Sequence, residues 1–297
     1  MTIPLVLYHA NCWDGFCAAW VARLKLGEIE AVPVQYGQEP PDVAGREVYI
    51  LDFSYKRPVM RRILSQAHKV IVLDHHPTAR EELADIVDEF MQRPDLIANP
   101  PGSHLPVICF DMNKSGGRLA WNYFFGDDHA KRFTPDSCDD LRPWLVDYTE
   151  DRDLWRWKLP NSREVNAALR SYELSFERWD YLHKYVSPQW DSWPIFVNEG
   201  RSILRREQQI IDEHLRHARE IEMDGHRILV VNATVLFSEI AGELATGRPF
   251  GACYFIRSDG KRQWSLRSRD GGVDVSEIAK RHGGGGHRNA AGFEVAP

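Results

Sequence analysis

The segment Val70-Ile71-Val72-Leu73-Asp74-His75-His76 decides the fold. Its first four residues are apolar and three of them are β-branched, which predicts a strand buried on both faces of a sheet. An acid and two histidines follow directly. Two other runs have the same form: Leu5 to Tyr8 precedes His9, and Val48 to Leu51 precedes Asp52. Strands of this kind, each ending at a polar side chain, are typical of a parallel sheet.

Segments with helical spacing follow these strands, such as Phe16 to Leu26 and Pro58 to Ala67. A fourth candidate strand, Val107 to Phe110, precedes Ser115-Gly116-Gly117 and a predicted helix from Arg118 to Phe125. Alternating strands and helices predict the α/β class, with βαβ units around the sheet.

The length of 297 residues favours two domains, at about 150 residues each. We predict an N-terminal parallel-sheet domain over 1–195 and a smaller α/β domain over 225–297. A long connecting helix over 196–224, ending near Asp224-Gly225, is predicted to join these two lobes.

Composition excludes several classes of protein. Apolar residues make up 43% of the chain and charged residues 27%, which is not the balance of a disordered protein. No apolar run approaches the roughly 18 to 20 residues that cross a bilayer. The absence of a leader pattern and an odd, scattered cysteine set predict a reducing, cytoplasmic location. The cysteines are Cys12, Cys17, Cys109, Cys138 and Cys253.

The net charge of −6 excludes a global basic field for long nucleic acid. From Gly225 to Pro297, however, ten Lys and Arg stand against seven Asp and Glu, a net charge of +3. An acidic larger part and a basic smaller part suit a cation-binding half and an anion-binding half.

Side chains just past the ends of neighbouring parallel strands converge on one crevice, so the acids and histidines after the strands are expected to share a site. Carboxylate and imidazole suit Mn²⁺, Mg²⁺ or Zn²⁺, and two ions about 3.5 to 4 Å apart form a phosphoryl-hydrolysis site. Alternatives stay open. Asp52 alone is typical of a turn, and Asp147, Glu150, Asp151 and Asp153 are also typical of a solvated helix face.

A second cluster lies in the glycine run that ends at His287-Arg288. Glycines let backbone N–H groups approach a phosphate, although a flexible hinge is the alternative. Arg267 and Arg269 lie on a predicted strand with Trp264. Each arginine can bind a phosphate through two parallel hydrogen bonds, and the Trp264 ring can stack on a base. The candidate substrate-binding residues are Arg267, Arg269, Gly284, Gly285, Gly286, His287 and Arg288.

These motifs together resemble the DHH phosphoesterase superfamily, in the branch that carries the DHH-associated C-terminal domain, as in RecJ-type exonucleases and bacterial nanoRNases. The resemblance covers nearly the whole chain. It implies an active site in a cleft between two lobes, with two Mn²⁺ ions, or Mg²⁺, held by the N-terminal lobe and substrate held by the C-terminal one.

Carried over residue by residue, the resemblance implies that His9 binds the first ion and that Asp52 bridges both. Asp14, His75 and Asp151 are the implied ligands of the second ion, with Asp151 preferred to Asp153. Two neighbouring residues have implied catalytic roles. Asp74 orients a histidine, while His76 contacts the scissile phosphate and protonates the leaving oxygen.

The first motif departs from the family form His-x-x-x-Asp-x-Asp. Here His9-Ala10-Asn11-Cys12-Trp13-Asp14 is one residue shorter and has Cys12 where the first Asp falls. Three interpretations are open: Cys12 binds metal as a thiolate and favours a softer ion, the first ion binds weakly, or Cys12 is a buried bystander.

The favoured function is a divalent-metal-dependent phosphodiesterase, an exonuclease that hydrolyses short single-stranded oligonucleotides or dinucleotides to mononucleotides. The alternatives are a RecJ-type exonuclease on single-stranded DNA, a phosphomonoesterase on 3′-phosphoadenosine 5′-phosphate, a polyphosphatase and a non-catalytic nucleotide-binding protein. No membrane partner is expected, and the oligomeric state stays open, with a dimer among the options. The Trp-rich segment from Pro135 to Trp193 is assigned to core packing and not to base stacking.

Overall fold

The computed structural model describes residues 3–91, 106–126, 142–269 and 271–296. It divides into two compact units, Met1–Arg201 and Ser202–Pro297. Residues 135–141 of the Trp-rich segment, including Cys138, lie outside the described residues. The other four cysteines are free thiols. Among the described helices, none combines the length and the apolar character that crossing a membrane requires.

The first unit is built on a five-stranded parallel sheet with the order β2-β1-β3-β4-β5. Its strands are β1 (Leu5–His9), β2 (Glu30–Val34), β3 (Glu47–Leu51), β4 (Lys69–Asp74) and β5 (Val107–Phe110). Helices follow the strands, so the predicted α/β class with βαβ units is confirmed. They are α1 (Trp13–Leu26), α2 (Arg57–Gln66), α3 (Pro77–Glu82), α4 (Ala84–Met91), α5 (Gly116–Phe125), α6 (Trp144–Asp153), α7 (Ser162–Leu169) and α8 (Phe176–Tyr185).

Both faces of this sheet are buried, because alternate residues of each strand enter different cores. Ile71 and Leu73 of β4 pack in one cluster with α1, α5 and α6, while Val70 and Val72 pack in the other with α2. This two-sided burial explains why the central strands are apolar throughout.

The Trp-rich segment divides between core and surface. Trp144 and Trp179 are buried in the core beside α1. Trp155 and Trp190 are 46% and 44% exposed, so the assignment to core packing is wrong for these two side chains.

The second unit has a six-stranded sheet with the order β10-β11-β9-β8-β7-β6, in which only the β7–β8 pair is parallel among the described strands. Helix α9 (Ser192–Leu215) begins in the first unit and ends in the second. The other elements of the second unit are β6 (Arg219–Met223), β7 (His226–Asn232), α10 (Phe237–Leu244), β8 (Gly251–Ile256), β9 (Arg262–Arg267), α11 (Val275–Arg281), β10 (Gly285–His287) and β11 (Ala290–Val295). The long helix α9 therefore ends at Leu215, and its predicted end near Asp224 is wrong. Most of the intervening residues form β6, which pairs antiparallel with β7. A turn at Asp224-Gly225 connects the two strands.

Candidate metal centre

The centre lies at the carboxyl edge of the parallel sheet. Register places Tyr8 beside Leu51 and Leu51 beside Leu73, so the next residue of each strand, or the residue just after it, falls at the same edge. The polar residues gathered there are His9, Asp52, Asp74, His75 and His76. The convergence expected from the strand ends is therefore present.

Asp52 turns sharply out of β3, with a φ of 63° in the left-handed region that aspartate tolerates better than most residues. The side chain is 1% exposed. A Cβ on Gly116 would lie 2.6 Å from the Asp52 Cβ, so only glycine fits at the start of α5. This turn and this glycine together let Asp52 point into the centre.

Asp14, in the first turn of α1, is fixed by the start of α5. Its carboxylate accepts the backbone N–H groups of Gly116, at 2.5 Å, and Gly117, at 2.9 Å. Helix N-termini favour negative charge, which suits a buried carboxylate there. A Cβ on Gly15 would lie 2.6 Å from the His9 oxygen, so α1 approaches β1 this closely only with glycine.

Two groups of candidate metal ligands meet at Asp52. In the first, the ligand atoms of His9, Cys12 and Asp52 lie within 4.8 Å of one another, and in the second those of Asp14, His75 and Asp153 do so. Asp52 Oδ2 lies 3.5 Å from His9 Nδ1, while Asp52 Oδ1 lies 3.0 Å from His75 Nε2. One oxygen thus faces each group.

Asp153, and not Asp151, belongs to this centre. Asp153 Oδ2 lies 3.6 Å from His75 Nε2. The Asp151 carboxylate is buried elsewhere, where it accepts the backbone N–H groups of Lys158 at 2.9 Å and Leu159 at 3.3 Å. We therefore correct the candidate ligand from Asp151 to Asp153, because Asp151 is engaged in closing the loop after α6.

Asp74 holds the two histidines that follow it. Its Oδ1 accepts the His75 backbone N–H at 2.7 Å and lies 2.7 Å from His76 Nδ1, while its Oδ2 accepts the Ser54 hydroxyl at 2.6 Å. The geometry fixes the orientation of the His76 ring, as expected for an orienting carboxylate.

The buried charges of the centre shift one another's pKa values. Burial, together with the charges of Asp52 and Asp153, raises the pKa of Asp14 well above its ordinary value. Burial alone would lower the pKa of His75, but the hydrogen bond with Asp52 and the nearby carboxylates raise it to about 10. Burial also lowers the pKa of His76, and the charge of Asp74 outweighs that effect and raises it. Such mutual repulsion among buried carboxylates is what a divalent cation relieves.

The residues present fit divalent cations. Within the described part of the chain, His9 Nδ1 and Asp52 Oδ2 are buried atoms for which no hydrogen-bond partner is found. The two atoms lie 3.5 Å from each other in the centre. Buried polar atoms in proteins are normally satisfied, so a missing partner here needs an explanation. A divalent ion bound by imidazole and carboxylate ligands provides that explanation.

A buried polar network behind the centre contradicts the interpretation of α6 as a solvated face. Glu150 is 7% exposed and accepts Arg118 Nη2 at 2.7 Å, and Arg118 also donates to Asp147. Arg118 lies on α5, whose first residues hold Asp14. The network therefore joins α6, which carries Asp153, to the helix that fixes Asp14.

Tyr36 is a residue of this edge that sequence reasoning missed. Tyr36 is 58% exposed as a residue, and its ring centroid lies 5.1 Å from that of His9 and 6.5 Å from that of His76. Register places Val34, the last residue of β2, beside His9. Recognising β2 as an edge strand would have located Tyr36 at the centre.

In the second unit, the structure brings the two predicted substrate-binding segments together. The Ser268 N–H donates to the Asn289 oxygen at 3.1 Å, which joins the end of β9 to the turn between β10 and β11. Arg267 donates to the Ser238 hydroxyl at 2.6 Å, and Arg269 lies 3.4 Å from Glu243. Arg288, whose side chain is 61% exposed, donates to the Gly272 oxygen at 3.2 Å.

The glycine run is held in a hairpin, which disfavours the hinge interpretation. Gly285 pairs with Gly292 of β11, and His287 with Ala290. A Cβ on Gly284 would lie 2.1 Å from the Gly292 oxygen, and Gly286 has a φ of 141°. Close packing of β11 therefore requires glycine at these two positions.

Comparisons with known proteins agree with this architecture. A family model described as the DHHA1 domain matches residues 233–297. The chain is 26% identical to the uncharacterized protein R106 of Acanthamoeba polyphaga mimivirus, covering 98% of this chain and 67% of that protein. It is 24% identical to the oligoribonuclease NrnB of Bacillus subtilis (strain 168), covering 97% of this chain and 72% of that protein.

A solved structure extends the similarity of the fold. It is described as the DHH domain of a member of a family of ribosomal proteins, and it aligns with a TM-score of 0.55 at 14% identity, covering 98% of this chain and 82% of that one. The fold and the centre define an α/β protein with an acidic, histidine-containing site at its sheet edge. The match of residues 233–297 to the DHHA1 domain and the similarity of the chain to NrnB support the resemblance to DHH superfamily phosphoesterases.

Proposed function

We propose that this protein is a divalent-metal-dependent phosphodiesterase that degrades short single-stranded oligonucleotides or dinucleotides to mononucleotides. The observation that carries the proposal is the position of Asp52, with one oxygen toward each of two groups of candidate ligands. The similarity to NrnB, named as an oligoribonuclease, supports the substrate class. The class of enzyme is a hydrolase that acts on phosphodiester bonds.

In this proposal His9 and Asp52 hold a first divalent ion, and Asp14, Asp52, His75 and Asp153 hold a second, with Mn²⁺ or Mg²⁺ as candidates. When bound, such ions supply charge stabilisation at the phosphate and a nucleophile at neutral pH. His76, whose ring Asp74 orients, would donate a proton to the leaving oxygen of the bound substrate. The net charge of the chain limits the number of phosphates it can neutralise, which favours a short substrate.

The test is a substrate panel with and without metal. The metal-stripped protein is incubated with Mn²⁺ and 5′-labelled dinucleotides, longer single-stranded RNA and DNA, cyclic dinucleotides, 3′-phosphoadenosine 5′-phosphate or polyphosphate. We expect mononucleotides to form fastest from substrates of a few nucleotides, and EDTA to stop the reaction. Full activity in EDTA would rule out the metal mechanism, and equal rates on long single-stranded DNA would favour the RecJ-type alternative.

Arg288 is proposed to bind substrate phosphate and not metal. We expect Arg288→Ala to raise KM roughly 10- to 100-fold, the effect of losing one charged hydrogen bond, while Mn²⁺ affinity stays unchanged. His287→Ala is expected to act in the same direction. Steady-state kinetics and calorimetric Mn²⁺ titration measure the two quantities.

The matched control for this pair is Arg281→Ala, which removes an exposed arginine from α11 in the same unit. Its KM should stay at the value of the original protein. Loss of Mn²⁺ binding by Arg288→Ala with an unchanged KM would contradict the assignment.

Tyr36 is proposed to stack against a base of the bound substrate, because the residue is exposed and its ring lies beside His9 and His76. We expect Tyr36→Ala to raise KM for a dinucleotide roughly 5- to 150-fold, the equivalent of about 1 to 3 kcal/mol of stacking. Tyr36→Phe keeps the ring and should keep KM. If both variants raise KM equally, the hydroxyl acts and stacking does not.

A further inference from the structure

Cys12, which directly precedes helix α1, is an unusual residue for that position. Cys12 is the N-cap of α1 and makes no side-chain capping hydrogen bond to any residue that the structure describes. Ser, Asp and Asn are the preferred residues at an N-cap, where each stabilises a helix by about 1 kcal/mol relative to a non-capping side chain. The Gly15 backbone N–H lies close enough to lower the pKa of the Cys12 thiol, but a thiol is a weak acceptor, so capping of α1 alone does not favour cysteine here.

The surroundings of the thiol provide a different explanation. Cys12 Sγ, His9 and Asp52 offer ligand atoms that lie within 4.8 Å of one another. Asp52 is 1% exposed, and its Oδ2, which faces His9, has no hydrogen-bond partner among the described residues. This unpartnered carboxylate oxygen is an observation independent of the cysteine, and it points to a cation at the same place.

We infer that Cys12 is a thiolate ligand of the first metal ion, in a site formed with His9 and Asp52, and that this site selects a thiophilic divalent ion such as Zn²⁺ or Co²⁺. The inference rests on the proposed function for the existence of two metal sites. On binding, the ion replaces the thiol proton, which leaves to solvent. Without the ion, burial and the charges of Asp52, Asp153 and Asp14 hold the pKa of the Cys12 thiol well above its ordinary value, so the positive charge of the ion has to stabilise the thiolate.

The ligand chemistry determines which ions the two sites prefer. A thiolate, an imidazole and a carboxylate suit Zn²⁺ and Co²⁺, whereas Mg²⁺ prefers oxygen ligands throughout. The second group, Asp14, His75 and Asp153, contains no sulfur and suits Mn²⁺ or Mg²⁺. Two unlike ions are therefore the expected content of the centre.

The test titrates the metal-stripped full-length protein with Co²⁺ and follows the near-ultraviolet absorption band that only a thiolate–cobalt bond produces. We expect the band in the original protein and in Cys109→Ser, whose thiol belongs to neither ligand group. We expect its loss in Cys12→Ser and Cys12→Asp. Both replacements are good N-cap residues, so α1 is expected to form in each variant.

A competition measurement gives the selectivity. Zn²⁺ binds more tightly than Mn²⁺ at most protein sites, so the informative quantity is the ratio of the two affinities in each protein. We expect Cys12→Asp to lower this Zn²⁺-to-Mn²⁺ ratio at least about 10-fold. Binding of two Co²⁺ ions without the band, or a band that persists in Cys12→Ser, overturns the assignment of Cys12 and leaves the proposed function intact. Absence of any Co²⁺ binding overturns both.

Discussion

Asp52→Asn is expected to lower kcat on a dinucleotide by about 10²- to 10³-fold, the scale of losing a central electrostatic contact in an active site. Asp52 directs one oxygen toward His9 and the other toward His75. An amide keeps one oxygen but replaces the other with an NH₂ donor, which repels a cation. One of the two metal sites therefore loses its Asp52 oxygen, and both lose the negative charge of the carboxylate through a single substitution.

Asparagine is the sharper replacement at this position because of the backbone. The φ of 63° at Asp52 is strained for alanine, whereas asparagine adopts it readily. Loss of activity in Asp52→Asn therefore reports chemistry and not misfolding, which circular dichroism checks. Asp42→Asn, at an exposed turn, is the control and should keep full activity. Retention of more than about a tenth of kcat by Asp52→Asn would contradict the bridging role.

The central strands could be predicted from sequence because burial on both faces makes them apolar throughout. The edge strand β5 was also predicted, but the edge strands β2 and β6 were not. In β2, Pro33 and the exposed Glu30 interrupt the apolar pattern, and edge strands tolerate proline because they lack one hydrogen-bonded neighbour. In β6, charged residues alternate with Ile221 and Met223, and this pattern is too short to distinguish a strand from the end of the preceding long helix.

The candidate site was predicted where chain order alone determines position. His9, Asp52 and His75 follow strands whose ends must align in a parallel sheet. The acid from α6 was a different problem, because its direction depends on how the helix packs. Asp151 and Asp153 are two residues apart, which separates them by about 200° around a helix. Choosing between them required knowing which face of α6 packs toward the sheet edge, and that is a tertiary property.

Asp153→Asn is expected to change metal affinity, whereas Asp151→Asn is expected to change stability. In Asp153→Asn, Mn²⁺ affinity should fall at least about 100-fold, because losing even an outer partner of a metal ligand costs about 10- to 100-fold. The unfolding free energy of the metal-free protein should stay within about 1 kcal/mol, since the side chain is partly exposed. Activity at a fixed, low Mn²⁺ concentration should fall with the affinity.

Asp151→Asn should instead lower the unfolding free energy by about 1 to 3 kcal/mol, because its buried carboxylate accepts the Lys158 and Leu159 backbone N–H groups as charged hydrogen bonds. Its Mn²⁺ affinity, measured well below the melting temperature, should match that of the original protein. The two variants make the same chemical change at neighbouring acids of one helix, so each serves as the other's control. Urea denaturation and calorimetric Mn²⁺ titration of both provide the comparison. If Asp151→Asn loses metal and Asp153→Asn loses only stability, Asp151 is the ligand and the geometry assigned to the end of α6 is wrong.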